Sequence, residues 1–168
     1  MKQLENLSKK IKSRTTSIGI IGLGYVGLPL LIRFAEEGFK TIGFDIDPKK
    51  CEKINKGLSY IHHIESSSIK KNLRNIGATS VFKKIRDVDV VIICVPTPLN
   101  KNREPDMSYI RNTLNSIKKF LKKGQAISLE STTYPGTTRE LVLSAVNEQK
   151  LHAGKDFAVI YSPEREDP

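Results

Sequence analysis

The sequence has no tryptophan, two cysteines, two methionines and a shortage of acid, with 18 Asp and Glu against 28 Lys and Arg. Each shortage excludes something. Cys51 and Cys94 stand 43 positions apart in no ligand pattern, so neither a disulfide framework nor a thiolate metal site is expected. Cys94 lies in the apolar run VVIICV and reads as a small core hydrophobe. No apolar run approaches transmembrane length. The N-terminus lacks the apolar segment of a secretory signal. A cytoplasmic location is expected by default. At 168 residues, 38% hydrophobic and 27% charged, the chain can bury roughly 70% of its unfolded surface in one core without staples.

The excess of base leaves a formal charge of +10. Such chains meet nucleic acid, anionic membranes or phosphorylated ligands. Here the lysine pairs are scattered, from Lys9-Lys10 and Lys49-Lys50 to Lys118-Lys119 and Lys122-Lys123. Several fall near predicted helix ends, where cations suit the helix dipole. They form no stripe and accompany no groove-reading motif. They read as solvated surface with a general pull on diphosphates, so neither nucleic acid nor membrane is expected as a partner.

What is present alternates between strand and helix. Residues 1–15 form a basic leader with Leu4, Leu7 and Ile11 at helical spacing, a short helix or a frayed tail. Strands are predicted at Ile18–Ile21, Thr41–Phe44, Thr79–Phe82, Val88–Val95, Ala126–Leu129 and Phe157–Tyr161. Helices fall between most of them. One follows the first glycine turn and stops at Gly38. Another opens on Asp47-Pro48 and stops at Gly57, a third is a basic stretch that follows the serines at 66–68 and ends near Gly77, a fourth is capped by Asp106 or Ser108, and a fifth spans Gly136–Glu148. Six strands with intervening helices predict an α/β, Rossmann-type doubly wound, mostly parallel sheet over residues 16–168. Its expected order is 3-2-1-4-5-6, with helices on both faces. The last strand ends seven residues before Pro168, so the chain reads as cut before a second, substrate-holding domain.

Gly22-Leu23-Gly24-Tyr25-Val26-Gly27 fits G-x-G-x-x-G, and it ends a strand and opens a helix, the context that motif requires. Gly22 permits the tight turn, Gly24 lets a pyrophosphate approach the backbone, and Gly27 lets helix and strand pack closely. Amides at the helix start favour the anion. Asp45 closes the next strand 18 positions after Gly27. Its carboxylate can accept from ribose hydroxyls and would repel a 2′-phosphate, so NAD is expected over NADP. Lys49 and Lys50 beside it blur that preference.

Ligands of open parallel sheets bind beyond the carboxyl strand ends, where the strand order reverses. Val95-Pro96-Thr97-Pro98, Glu130-Ser131-Thr132-Thr133 and Ser162-Pro163-Glu164-Arg165 must share that edge with the glycine turn. Glu164 and Glu130 are the candidate acids and bases there, and Thr132 can position a water or a substrate oxygen. The residues alone leave those roles open, because a proton-transfer role needs a substrate pose. His62-His63 and His152 have no acidic or thiol partner at ligand spacing, so no metal is expected.

The strings IGLGYVGLPL, GFDID, VPTPL, PDMSYI, LESTTYPGTTRE and YSPEREDP resemble the NAD-binding half of the UDP-glucose/GDP-mannose dehydrogenase family, from about Thr16 to Pro168. LESTTYPGTT and SPEREDP resemble the branch that oxidises UDP-N-acetylglucosamine, or a close 2-acetamido sugar, at carbon 6. The resemblance implies polysaccharide biosynthesis and two hydride transfers to two NAD⁺, carrying a primary alcohol to a carboxylate. A cysteine of a later domain would hold the carbon as thiohemiacetal and then thioester. Carried over by motif, Gly22, Leu23, Gly24, Tyr25, Val26, Gly27, Asp45 and Lys50 would hold NAD, with Val95, Pro96, Thr97, Ser131 and Thr132. Thr132 would support the catalytic water, and Glu164 would serve acid–base work in thioester hydrolysis. A UDP-sugar substrate and a homodimer or larger assembly of the full-length protein are implied. Neither Cys51 nor Cys94 matches the family's cysteine motif, and Pro168 stands where some members place a second acid. The chain alone is therefore expected to bind NAD and to lack turnover. The alternatives are the NAD-binding module of another nicotinamide dehydrogenase, or a non-catalytic nucleotide-binding module.

Overall fold

The computed structural model describes residues 2–99, 101 and 103–162. Six strands, β1 (Ser17–Ile21), β2 (Lys40–Phe44), β3 (Ile76–Thr79), β4 (Val90–Ile93), β5 (Ala126–Leu129) and β6 (Ala158–Tyr161), form one sheet in the order β3-β2-β1-β4-β5-β6. Every pairing is parallel. The sheet reverses direction of growth between β1 and β4, so a crevice opens at their carboxyl ends.

The strands read as apolar runs because both faces are covered. Ile18, Ile20 and Ile92 point to one side, against Leu28, Leu31 and Ala35 of α2 (Gly27–Glu36), Ile54 of α3 (Pro48–Asn55) and Ile69 of α4 (Ser66–Lys71). Ile21, Val91, Ile93, Ile127 and Leu129 point to the other. There they meet Ile110, Leu114 and Ile117 of α5 (Ser108–Ile117) and Ala145 and Val146 of α6 (Ser144–Glu148). Asp47 caps α3 by accepting from Lys49 N at 2.9 Å, with Pro48 as the first helical residue. Asp106 accepts from Ser108 N at 2.9 Å just before α5.

Three expectations need correction. The third strand lies at Ile76–Thr79, not Thr79–Phe82. Thr41 N donates to Asn75 O at 2.7 Å, which fixes the register ahead of Gly77. Phe82–Asp87 is instead a 3-10 turn that buries Ile85 and stacks Phe82 on Phe44, ring centres 6.0 Å apart. The basic helix stops at Lys71 rather than near Gly77. The segment from Gly136 to Glu148 is not one α-helix: Thr138–Leu143 is a π-turn that runs into α6. The leader forms α1 (Lys2–Lys12), which buries Leu7 and ties Lys10 Nζ to the Asp89 carboxylate at 2.5 Å.

Candidate functional site

The turn between β1 and α2 is shaped by what its glycines leave out. Gly22 has φ +90°, and a Cβ there would stand 2.7 Å from Cys94 O, so the backbone that leaves β4 passes directly behind it. A Cβ on Gly27 would stand 1.8 Å from Gly22 O, a distance no side chain survives, and this contact seats α2 on the turn. Gly24 differs: a Cβ there would meet nothing within 4 Å. Its missing side chain serves no packing need of the protein itself. It leaves bare backbone facing open space, as a cradle for an anionic group requires.

Leu28 N is the first amide to pair back in this helix, on Gly24 O at 3.1 Å, and Leu30 N follows on Val26 O at 3.2 Å. Pro29 has no amide to add between them. The amides of 25–27 precede that ladder, at the positive end of the helix.

Asp45 stands at the end of β2 and is 6% exposed. Its Oδ2 accepts from Leu23 N at 2.9 Å and from Lys50 Nζ at 3.3 Å, while Oδ1 accepts from Asp47 N at 3.0 Å. The acid thus binds the glycine turn to the second strand as well as facing the crevice. A carboxylate oxygen can take two donors, so Oδ1 retains room for a ribose hydroxyl.

The loop after α3 closes the same corner. Tyr60 Oη donates to Leu23 O at 2.5 Å, Lys50 Nζ sits 5.8 Å from the Tyr60 ring centre, and Tyr25 stacks on His63 with ring centres 5.8 Å apart. Burial pushes the Tyr60 phenol well above its ordinary pKa, and the Asp45 carboxylate adds to the shift, so the hydroxyl stays a donor.

On the far side, two hydroxyls stitch the loops after β4 and β5 together. Thr97 Oγ1 donates to Thr132 O at 2.8 Å, and Ser131 Oγ donates to Val95 O at 2.7 Å. Glu130 Oε1 accepts from Ser128 Oγ at 2.6 Å. A cleft of about 700 Å³ joins the two sides. Of the residues expected from sequence, Gly22, Leu23, Gly24, Tyr25 and Val26 line it, as do Asp45 and Lys50. Val95, Pro96, Thr97, Ser131 and Thr132 line its other wall. Gly27 does not; it opens α2 and packs against the Gly22 carbonyl behind the turn. Glu164 and the rest of SPEREDP from Pro163 on lie outside the described residues.

Several lining residues escaped the sequence reading. Ile46, 82% exposed, and Phe82 flank Asp45, and Tyr109, Asn112, Thr113 and Ser116 present one side of α5 to the cleft. Their i, i+3, i+4, i+7 spacing, beside the buried stripe of Ile110, Leu114 and Ile117, was the signal available. Among the described residues no group of three His, Cys, Asp or Glu side chains could hold a metal, and no helix is long and apolar enough to cross a membrane.

Residues 16–168 match the UDP-glucose/GDP-mannose dehydrogenase family, NAD binding domain. A UDP-N-acetyl-D-mannosamine dehydrogenase of Pyrococcus horikoshii is 36% identical over 151 residues, 88% of this chain and 36% of that protein. A UDP-N-acetyl-D-glucosamine 6-dehydrogenase of Pseudomonas aeruginosa is 32% identical over 152 residues, 90% of this chain and 36% of that protein. The solved structure of a GDP-mannose dehydrogenase ternary complex from Pseudomonas aeruginosa superposes with a TM-score of 0.83 at 31% identity, covering 88% of this chain and 36% of that one. The chain thus spans little more than a third of the relatives it matches.

Proposed function

The chain belongs to the UDP-glucose/GDP-mannose dehydrogenase family as its NAD-binding domain, and on that premise we propose that it serves oxidation of a UDP-2-acetamido sugar at carbon 6. UDP-N-acetylglucosamine is the substrate favoured by LESTTYPGTT and SPEREDP. Relatives named for the glucosamine and the mannosamine sugar match at similar identity, so both belong in the test. Bound NAD⁺ would supply the hydride acceptor for each of two oxidations, from alcohol to carboxylate.

The chain's own residues have separable tasks. The amides before the α2 ladder take the diphosphate. Asp45 takes a ribose hydroxyl through Oδ1 and disfavours a 2′-phosphate, and its neighbour Lys50 tempers that repulsion without cancelling it. Thr97 and Ser131 hold the two far loops in register through their bonds to main chain. That register presents Thr132 to the cleft, where it supports a water for thioester hydrolysis, with Glu164 as its acid–base partner. The thiol nucleophile comes from another part of a longer protein. Cys51 is buried beside Asp45 O, and Cys94 lies at the end of β4 behind the glycine turn.

The observation that carries this reading is the pairing of an open Gly24 with Asp45 on one cleft. Calorimetry with NAD⁺ and NADP⁺ tests it. Binding of NAD⁺ with a clear preference over NADP⁺ is expected, and absence of binding at millimolar NAD⁺ overturns it. Incubation with NAD⁺ and either UDP-2-acetamido sugar should yield no NADH from this chain alone.

A further inference from the structure

Tyr60 has no part in the glycine motif, yet its hydroxyl reaches 37 positions back to the carbonyl of Leu23, at 2.5 Å. That carbonyl shares one planar peptide with the amide of Gly24. The described peptides are trans, so fixing the oxygen on one side fixes the Gly24 N–H on the other. The preceding peptide is held too, because Leu23 N donates to Asp45 Oδ2 at 2.9 Å. Leu23 is therefore clamped at both ends, amide by Asp45 and carbonyl by Tyr60. The next amide belongs to the one glycine of the motif whose missing side chain opens onto free space.

The loop carrying Tyr60 is built to hold it there. Ser59 N donates to Ser66 Oγ at 2.9 Å, Ser59 Oγ donates to Ile61 O at 3.1 Å, and Ile61 is buried in the core on the α2 side. Tyr60 thus stands between two anchored neighbours.

We propose that Tyr60 is a positioning residue for the cofactor: through the Leu23 carbonyl it orients the Gly24 amide toward the diphosphate. This rests on the cleft being the NAD site. It assigns to the loop after α3 a share of diphosphate recognition that the glycine turn alone would be credited with. The ring and the hydroxyl have different tasks, since the ring lies beside Lys50 and the hydroxyl holds the turn. Tyr60→Phe separates them.

The test uses the 168-residue chain and its Y60F variant, with NAD⁺ titrations by calorimetry and amide NMR spectra. In the wild type, the Gly24 amide proton should move strongly downfield as NAD⁺ binds. In Y60F that displacement should shrink and NAD⁺ should bind about fivefold more weakly, the net effect of one hydrogen bond. The resonances of the sheet should stay as in wild type, and the melting temperature of the unliganded variant should fall by no more than the few degrees that one lost hydrogen bond costs. An unchanged Gly24 displacement overturns the inference, whatever the affinity does. So does a loss of affinity accompanied by shifts throughout the sheet, which would mean Tyr60 only supports the fold. A second variant, Tyr60→Leu, should show the same loss at Gly24 plus an added loss from the missing ring. If wild type binds no NAD⁺, the reading of the cleft itself falls, an outcome distinct from Y60F binding like wild type.

Discussion

Two glycines of the turn make a contrast that a pair of single substitutions can expose. At Gly27 a Cβ would meet the Gly22 carbonyl at 1.8 Å, so α2 must back away from β1 to admit it. Overpacking of that kind costs about 3 kcal/mol or more, and Gly27→Ala should lower the midpoint of urea unfolding and lose NAD⁺ binding together. At Gly24 the new methyl would find open space. Gly24→Ala should leave the unliganded stability within about 0.5 kcal/mol, as at an ordinary surface site. It should weaken NAD⁺ binding all the same, because the methyl occupies the approach of the diphosphate. Equal stability losses for the two variants would refute the division of labour. That division was legible in the sequence, since each glycine of the motif has a fixed geometric task. Tyr60 was not legible: its partner is a main-chain carbonyl far upstream, and no short-range pattern encodes such a bond.

At the level of elements, the leader helix offers a pH-dependent measurement. Asp89 precedes β4 and receives Lys10 Nζ from α1 with both the amide and the hydroxyl of Ser17. Partial burial works against its charge, but Lys10 and Ser17 outweigh that and hold the carboxyl below its usual range. A carboxyl lowered in the folded state contributes stability above its unfolded pKa, near 4. That contribution is lost as pH falls through the lower, folded value. Because the pair is partly open to solvent, its worth is about 0.5–1 kcal/mol. Thermal melts between pH 7 and pH 3 should show wild type converging on Asp89→Asn at the acid end and exceeding it at neutral pH. Parallel curves for the two proteins would show that the ion pair does not fasten α1.

The same scale shows why some elements could be read from sequence and others could not. β1, β2 and β5 are short apolar runs bounded by turn residues, and their placement follows from burial on both faces. β3 carries Ile76-Gly77-Ala78-Thr79, too little side chain to announce a strand. It is specified by its neighbours instead. β2 supplies the ladder on one side, and on the open edge the Asn55 side chain pairs with both the amide and the carbonyl of Ala78, at 2.8 and 2.9 Å. A side-chain amide there occupies an edge that would otherwise be free to pair. The α5 face was half legible: Ile110, Leu114 and Ile117 recur at helical spacing in the sequence, while the polar stripe beside them became a cleft wall through tertiary placement alone.

For the molecule as a whole, the cleft lies across the two halves of the sheet. The glycine turn, Asp45 and the Tyr60 loop belong to the β1–β3 half, while 95–97 and 130–132 belong to the β4–β6 half. A dinucleotide bridging them should stabilise the folded chain by mass action, since the unfolded chain has no such cleft. At a concentration one hundred times its Kd, the gain is about 2.7 kcal/mol. For a chain of this size, that is a rise in melting temperature of about 5–10 °C. NADP⁺ at the same concentration should give a smaller rise, because its 2′-phosphate meets Asp45. ADP-ribose, which spans the diphosphate but lacks the nicotinamide, should recover most of the NAD⁺ effect if the β1–β3 half dominates. UDP-N-acetylglucosamine should give almost none if, as proposed, this chain serves as the dinucleotide-binding part, spanning 36% of the length of a relative named for that sugar. A large shift with the UDP-sugar and none with NAD⁺ would invert the roles assigned to this domain.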